Sequence, residues 1–266
     1  MAGSLYKYLE PRWAVPFVEE GRIRFSSLAW FQNYEDDEER GDEFEGVRKY
    51  FAGKATRANE PSGPVMLPHH TFQAAAKARD HIFVLCVSRR LSVKLAERFK
   101  SPGTAITCVE IYDADVFLER LASTLKKQSP VQRQSLFRED VTYYSIDDPP
   151  GTNWALPKKL ATHKGLRFAD QEEHRFVFAS KRHAFDPYRV DTWLVGDGAA
   201  RRARPKLAAI NHCRDLALGP LFDCCRTIEL QSATAETPSR PTGHLFEQQS
   251  GVDLELAGIL KDRRAP

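Results

Sequence analysis

The chain reads as an α+β protein built on a mixed or split central β-sheet flanked by helices. Leu5-Tyr6-Lys7-Tyr8-Leu9 is an aromatic, strand-like run almost at the N-terminus, and a strand that early belongs inside a sheet. His81 to Ser88 is apolar almost throughout, the pattern of a strand buried on both faces. Segments with helix caps and core spacing alternate with such runs. A length of 266 residues fits one α/β or α+β domain of about 220 residues with additions. Hydrophobic residues at 42%, with 16 Phe, exclude a wholly disordered chain.

In chain order, Glu10-Pro11-Arg12 opens a short helix through Phe17 and Val18, shortened or bent by Pro16 and closed at Gly21, the residue type expected just past a helix end. Arg22 to Ser27 alternates: Ile23 and Phe25 share one face, Arg22, Arg24 and Ser26 the other, and the polar face can line a cleft. Eight acids then fall between Glu35 and Glu45. So dense a cluster is solvated, paired with bases or bound to Mg²⁺, solvation being the ordinary outcome. Residues 52 to 70 carry Gly, Pro, Asn and Ser and read as a long surface loop.

Ser92 caps a helix to Phe99, and Thr104 to Tyr112 is a strand. Asp113 caps a helix with Phe117, Leu118, Leu121 and Leu125 at core spacing. Val141 to Ser145 is a short strand, and Trp154 to Leu160 a helical turn. In Gly165 to Ser180 the run Phe176-Val177-Phe178-Ala179 forms an interior strand with Glu172, Glu173, His174 and Arg175 at its mouth. If the strand begins there, Glu173 and Arg175 share a face while Glu172 is a solvent-facing turn residue. The plainer reading is a solvated turn whose charges pair with one another.

Tyr188 to Val195 is a strand, Ala199 to Leu216 a helix with a basic start, and Arg226 to Leu230 a last strand. The domain thus spans 1–230, with a Thr, Ser, Pro and Ala-rich linker at 231–243 and a docking tail at 244–266. Five cysteines, none spaced as C-x-x-C, predict reduced thiols; a zinc site from His212-Cys213 and Cys224-Cys225 has poor ligand geometry. The chain has no apolar run of about 18 residues and no signal-peptide core. It is expected to be cytoplasmic and not membrane-bound.

Several of these segments together resemble a bacterial family of unknown function whose members begin with L-Y-K-Y. They continue with a G-x-(I/L)-x-F-S strand, an R-G-D-x-x-E-G element and a late E-x-E-x-R strand. The matches are Leu5 to Tyr8, Gly21 to Ser27, Arg40-Gly41-Asp42 with Glu45-Gly46, and Glu173 with Arg175. One departure is Gln171 where the first Glu of E-x-E-x-R stands. The layout is similar to that of mono-ADP-ribosyltransferase toxins and phage-defence effectors. The resemblance implies an ADP-ribosyltransferase-like fold and NAD as substrate, with no metal. Glu173 takes the catalytic place, Lys7 holds ribose or phosphate, and Ser26 or Ser27 supports the nicotinamide.

The residue types suit that chemistry. A fixed carboxylate stabilises the oxocarbenium character that builds as the nicotinamide glycosidic bond breaks. Lys7, Arg24 or Arg40 would bind pyrophosphate oxygens, Arg175 is a further cofactor-binding candidate, and Tyr6, Tyr8 or Tyr34 would stack on the nicotinamide. The partners expected are a macromolecular acceptor such as nucleic acid, and an antitoxin or other protein through the tail. Two other readings stand beside it. A Mg²⁺-dependent nuclease would use Asp42, Glu45 and Glu172 or Glu173, with Lys158, Lys159 and Lys164 on a nucleic-acid backbone. A sensor or adaptor would bind a partner without turnover.

Overall fold

The strands and helices follow the alternation of the sequence. In order they are β1 (Leu5–Leu9), α1 (Pro11–Glu19), β2 (Arg22–Ser27), α2 (Leu28–Asn33), β3 (Val47–Ala52), β4 (Thr56–Glu60), β5 (Gly63–Leu67), β6 (His70–Ala76) and β7 (Ile82–Ser88). There follow α3 (Val93–Arg98), β8 (Thr107–Ile111), α4 (Ala114–Gln128), α5 (Pro130–Ser135), β9 (Phe137–Asp140), β10 (Thr142–Tyr144), α6 (Pro157–Ala161) and β11 (His163–Gly165). A 3₁₀ segment, Leu166–Gln171, leads into β12 (Glu173–Ala179), and β13 (Val190–Val195), β14 (Cys213–Ala217) and β15 (Cys225–Ile228) complete the chain. The structure, a computed structural model, describes residues 3–33, 42, 44–52, 56–60, 63–67, 70–100, 103–151, 153–195 and 213–230. The chain divides into units Met1–Ser232 and Ala233–Pro266, and all described residues belong to the first.

The fold is α+β. An eight-stranded sheet runs β14-β2-β7-β1-β8-β15, with β12 paired to β7 and β9 paired to β12. Smaller sheets are β13-β6-β3, β4-β5 and β10-β11, and among the described residues only the last pair is parallel. The large sheet is therefore split rather than mixed. One edge of β7 is paired along its whole length with β12, from Ile82 opposite Ala179 to Ser88 opposite Glu173. The other edge is shared: β2 takes Phe83 and Val84, and β1 takes Ser88. Leu85, Cys86 and Val87 lie where β1 and β2 diverge. A backbone carbonyl exposed by such a gap needs another partner, and the Cys86 carbonyl accepts from Lys7 Nζ at 2.9 Å.

Alternate residues of the two central strands feed two cores, as a period of two requires. Phe83, Leu85, Phe176 and Phe178 join Phe17, Phe25, Phe117, Leu121 and Leu125 on the α1 and α4 side. Ile82, Val84, Val177 and Ala179 join Leu28, Ala74, Leu160 and Ala161 on the other. The phenylalanines contact one another at ring separations of 4.9 Å (Phe117–Phe176) and 5.1 Å (Phe25–Phe178), which adds to their burial. Ser92 accepts from Leu95 N and Asp113 from Asp115 and Val116 N, so both expected caps form. Among the described residues no helix is long and apolar enough to cross a membrane.

Two expectations are corrected. The stretch 52–70 is not a structureless loop, since β4 and β5 form an antiparallel ribbon within it and β6 begins at His70. Pro64 is tolerated because a two-stranded ribbon leaves one edge of each strand unpaired. The end of the expected helix Ala199 to Leu216 is instead strand β14, antiparallel to β2, with Leu216 buried and Arg214 and Asp215 exposed. Helix α5 and edge strand β9 were not anticipated. Residues 196–212, Arg40, Tyr34, the 231–243 linker and the 244–266 tail lie outside the described residues.

Candidate functional site

The mouth of β12 is pinned before it carries any charge. Glu172 closes the 3₁₀ segment in the left-handed region, at φ 42°. Its side chain is 51% exposed and stands 3.8 Å from Arg90, the turn position expected of it. The chain then enters the ladder with Glu173 opposite Ser88. The Glu173 N–H donates to the Tyr143 hydroxyl at 2.7 Å, and Ser88 Oγ donates to the Gln171 carbonyl at 2.7 Å.

Glu173 and Arg175 share a face, as period two dictates, but the face is interior: they are 5% and 0% exposed. Arg175 donates four hydrogen bonds. Nε donates to Glu173 Oε1 at 2.5 Å, Nη1 to Glu45 Oε1 at 2.5 Å and to the Ala161 carbonyl at 2.7 Å, and Nη2 to Glu45 Oε2 at 2.9 Å. Lys164 Nζ donates to Glu173 Oε2 and to Gln171 Oε1, both at 3.0 Å, and lies over the Phe168 ring. Two buried cations thus meet two buried carboxylates, the arrangement that makes charge burial tolerable.

Burial alone would raise the Glu173 carboxyl, but Arg175 and Lys164 outweigh it and hold the group well below the usual carboxylate range. Burial pushes the Glu45 carboxyl up, against the pull of the Arg175 fork. Burial opposes the charge on Lys164, yet Glu173 and Glu45 keep its affinity for the proton above the ordinary lysine value. Glu173 is therefore an ionised carboxylate. Cys86, beside it, is pushed up to about 12, first by burial and then by the Glu173 charge, so it is a thiol at neutral pH and no nucleophile.

A cleft of about 430 Å³ opens over the gap between β1 and β2. Its walls include Tyr6, Tyr8, Trp13, Phe31 and Phe99, its charged lining Lys7, Glu45, Lys164 and Glu173, with Gln171 and Arg24. Tyr8 is fixed, donating to the Arg90 carbonyl at 2.6 Å, accepting from Ser92 N at 2.8 Å and lying 5.8 Å from the Phe99 ring. Burial pushes its phenol up to about 12. Arg24 is 61% exposed and paired with Asp215 at 2.8 Å. Such a mixture grips a planar ring, anionic oxygens and hydroxyl groups together.

Of the residues singled out in the sequence, Tyr6, Lys7, Tyr8, Arg24 and Glu173 line this one cleft. Ser26 is not among its lining residues and faces β14, its Oγ 3.8 Å from Cys213 Sγ. Ser27 is fully buried and accepts from Trp30 N at the start of α2, so a nicotinamide-supporting role for it is corrected to a structural one. Arg175, with no exposed surface, is likewise the internal counter-ion of Glu45 and Glu173 rather than a ligand contact. Arg40 lies outside the described residues. Trp13, Phe31, Phe99 and Gln171 also line the cleft and were missed as site residues, while Lys164, expected on a nucleic-acid backbone, lines it as well.

The acidic cluster also departs from its expected solvation where it is described: Asp42 and Glu45 are buried. Asp42 accepts from Phe44 N at 2.9 Å, and Glu45 belongs to Arg175. Among the described residues no group of three His, Cys, Asp or Glu side chains is placed to hold a metal. The donors of the nuclease reading do not fit a cation, since the Arg175 guanidinium already bridges Glu45 and Glu173 and Glu172 faces away. Cys213 and Cys225 stand on strands at opposite ends of the main strand order, so they cannot share a zinc ion. No family model, curated protein or solved structure matches the chain.

Proposed function

We propose that the cleft over the sheet gap binds NAD and that the protein is a mono-ADP-ribosyltransferase acting on a macromolecule such as nucleic acid, in the manner of toxin or phage-defence effectors. One observation carries the reading: an aromatic-walled cleft contains an ionised, pinned carboxylate, Glu173, together with Lys7 and, at 61% exposure, Arg24. The resemblance to the L-Y-K-Y family supports it in one respect. Glu45 of the R-G-D-x-x-E-G element and Arg175 of the E-x-R strand, 130 positions apart, form a two-pronged ion pair, so the two motifs belong to one site.

In this reading the nicotinamide stacks against Tyr6 and Trp13, and Lys7 and Arg24 meet the pyrophosphate. The C1′–N bond breaks with its electron pair leaving on nicotinamide. Glu173 accepts a hydrogen bond from a ribose hydroxyl and stabilises the positive charge developing at C1′. An acceptor nucleophile then bonds to C1′ and gives up its proton; water in that place yields free ADP-ribose. A sensor reading draws on one specific fact, that both Glu173 oxygens are already held by cations, which suits binding without turnover.

The test is nicotinamide release from NAD⁺, read alongside the thermal shift NAD⁺ produces. Turnover in the wild type, its loss in Glu173→Gln, and a raised KM in Arg24→Ala at an unchanged melting temperature are expected. A thermal shift without nicotinamide release would establish the sensor. Full turnover in a folded Glu173→Gln protein, or no response to NAD⁺ in either measurement, would overturn the proposal.

A further inference from the structure

The other end of the β7–β12 pair carries a second concavity. It lies at the Ile82 and Ala179 end, six residues along β7 from Ser88, which is roughly 20 Å at the rise of a strand. The turn from β6 to β7, Lys77 to His81, and the connection after β12, Lys181 to Arg189, enclose about 120 Å³. The two segments are tied together by backbone bonds from Lys77 N to the Arg189 carbonyl and from Ser180 N to the His81 carbonyl, each 2.9 Å. Buried Ala184 anchors the second.

Four cationic side chains line this pocket, Lys77, Lys181, Arg182 and Arg189, together with His81 and His183, against one lining carboxylate, Asp80. Nearby acids are largely committed. Asp191 stands 3.3 Å from Lys77, and Asp186 takes His183 at 2.9 Å and the Tyr188 hydroxyl at 2.6 Å. Asp80 is 3.5 Å from His81. Among the described residues Lys181, Arg182 and Arg189 have no carboxylate within ion-pair distance. His183 moreover holds a left-handed backbone, φ 62°, at a cost that a non-glycine residue bears only when its surroundings impose it.

We infer that this pocket is a binding site for a terminal phosphate group, a phosphate monoester or inorganic phosphate, separate from the cleft. The cationic lining matches a dianion, and guanidinium groups bind tetrahedral oxyanions in a directed way. The pocket volume of about 120 Å³ accommodates one such group. The inference is independent of the NAD reading.

Calorimetric titration of the full chain with inorganic phosphate and with glycerol phosphate tests it; neither has a ring for the aromatic cleft to grip. One saturable site is expected, weakened by added salt and by about tenfold or more in Arg182→Ala and Arg189→Ala, as loss of a charge-assisted bond implies. Arg182 is exposed and Arg189 half-buried, and neither belongs to a buried ion pair, so melting temperatures should change little. Lys7→Ala, a change in the cleft, should leave the affinity as it was. Equal affinity in the two arms assigns recognition to the phosphate alone, and tighter glycerol phosphate assigns it to an esterified ligand. No saturable binding, an affinity indifferent to both arginine variants, or its loss in Lys7→Ala would overturn the inference.

Discussion

Arg175 shows how one residue decides the character of the site. Its guanidinium is the shared partner of Glu45 and Glu173 and is fully buried. Removing one member of a buried ionic group leaves the others desolvated and unpaired, which costs about 3–5 kcal/mol. Arg175→Met, similar in volume, should therefore lower the melting temperature by roughly 10 °C. Adding Glu45→Gln to Arg175→Met should recover part of the loss, because the two changes share one interaction. Thermal unfolding of the single and double variants checks this, and strictly additive losses would contradict the network. The face shared by Glu173 and Arg175 was legible from alternation alone. The pairing of Glu45 with Arg175 was not: Glu45 was a candidate Mg²⁺ donor, and within a run of eight acids nothing local shows that it reaches a partner 130 residues away. Burial also changes what Glu173→Gln reports: the variant should lose stability as well as turnover, so the exposed Arg24 gives the cleaner kinetic test.

Elements were legible where local chemistry fixes their ends. Gly21 follows α1 with φ 63°, and a Cβ there would meet the Gly219 carbonyl oxygen at 2.2 Å. The Gly21 carbonyl also accepts from Leu218 N at 3.0 Å, so the end of α1 and the end of β14 share one turn. Gly21→Ala should then cost well over the roughly 1 kcal/mol of an ordinary left-handed substitution, because backbone must move. Asp113→Ala, which removes only the α4 cap, should cost about 1 kcal/mol. Denaturant midpoints would rank the two, and an inverted order would argue against the shared turn. Elements without such punctuation stayed hidden. Strand β9 is Phe-Arg-Glu-Asp, and three charged residues in four leave it no apolar alternation to read. Each is in fact satisfied across the edge, Arg138 by Asp115, Glu139 by Lys159 and Asp140 by Arg89 and His174.

At the scale of the molecule, the split sheet puts the cleft at one end of β7–β12 and the basic pocket at the other, with buried titratable groups between and beside them. The continuous apolar runs of those two strands announced the sheet; the gap did not follow from them, because divergence of β1 from β2 depends on pairings far apart in sequence. The buried groups set how stability responds to pH. His174 is pushed down from its ordinary 6.5 by burial, with Asp140 pulling the other way and Arg89 and Arg138 adding to the depression. His163 is lowered first by burial too, with Arg48 and Lys159 opposing its charge and Glu139 favouring it. A histidine that protonates less readily folded than unfolded stabilises the protein above the unfolded value, and that stability is lost as pH falls through it. Glu173, depressed from 4.5, adds a second loss of the same sign as pH falls below that value, while Glu45, raised, offsets part of it. The melting temperature should accordingly fall from about pH 7.5 to about pH 5.5, where histidines of the unfolded chain take up protons. His174→Asn should flatten that limb and leave the steeper fall below pH 4.5, because Glu173 is intact. Thermal melts across pH on both proteins measure the two slopes, and an unchanged slope in the variant would show that His174 is not held neutral by the fold.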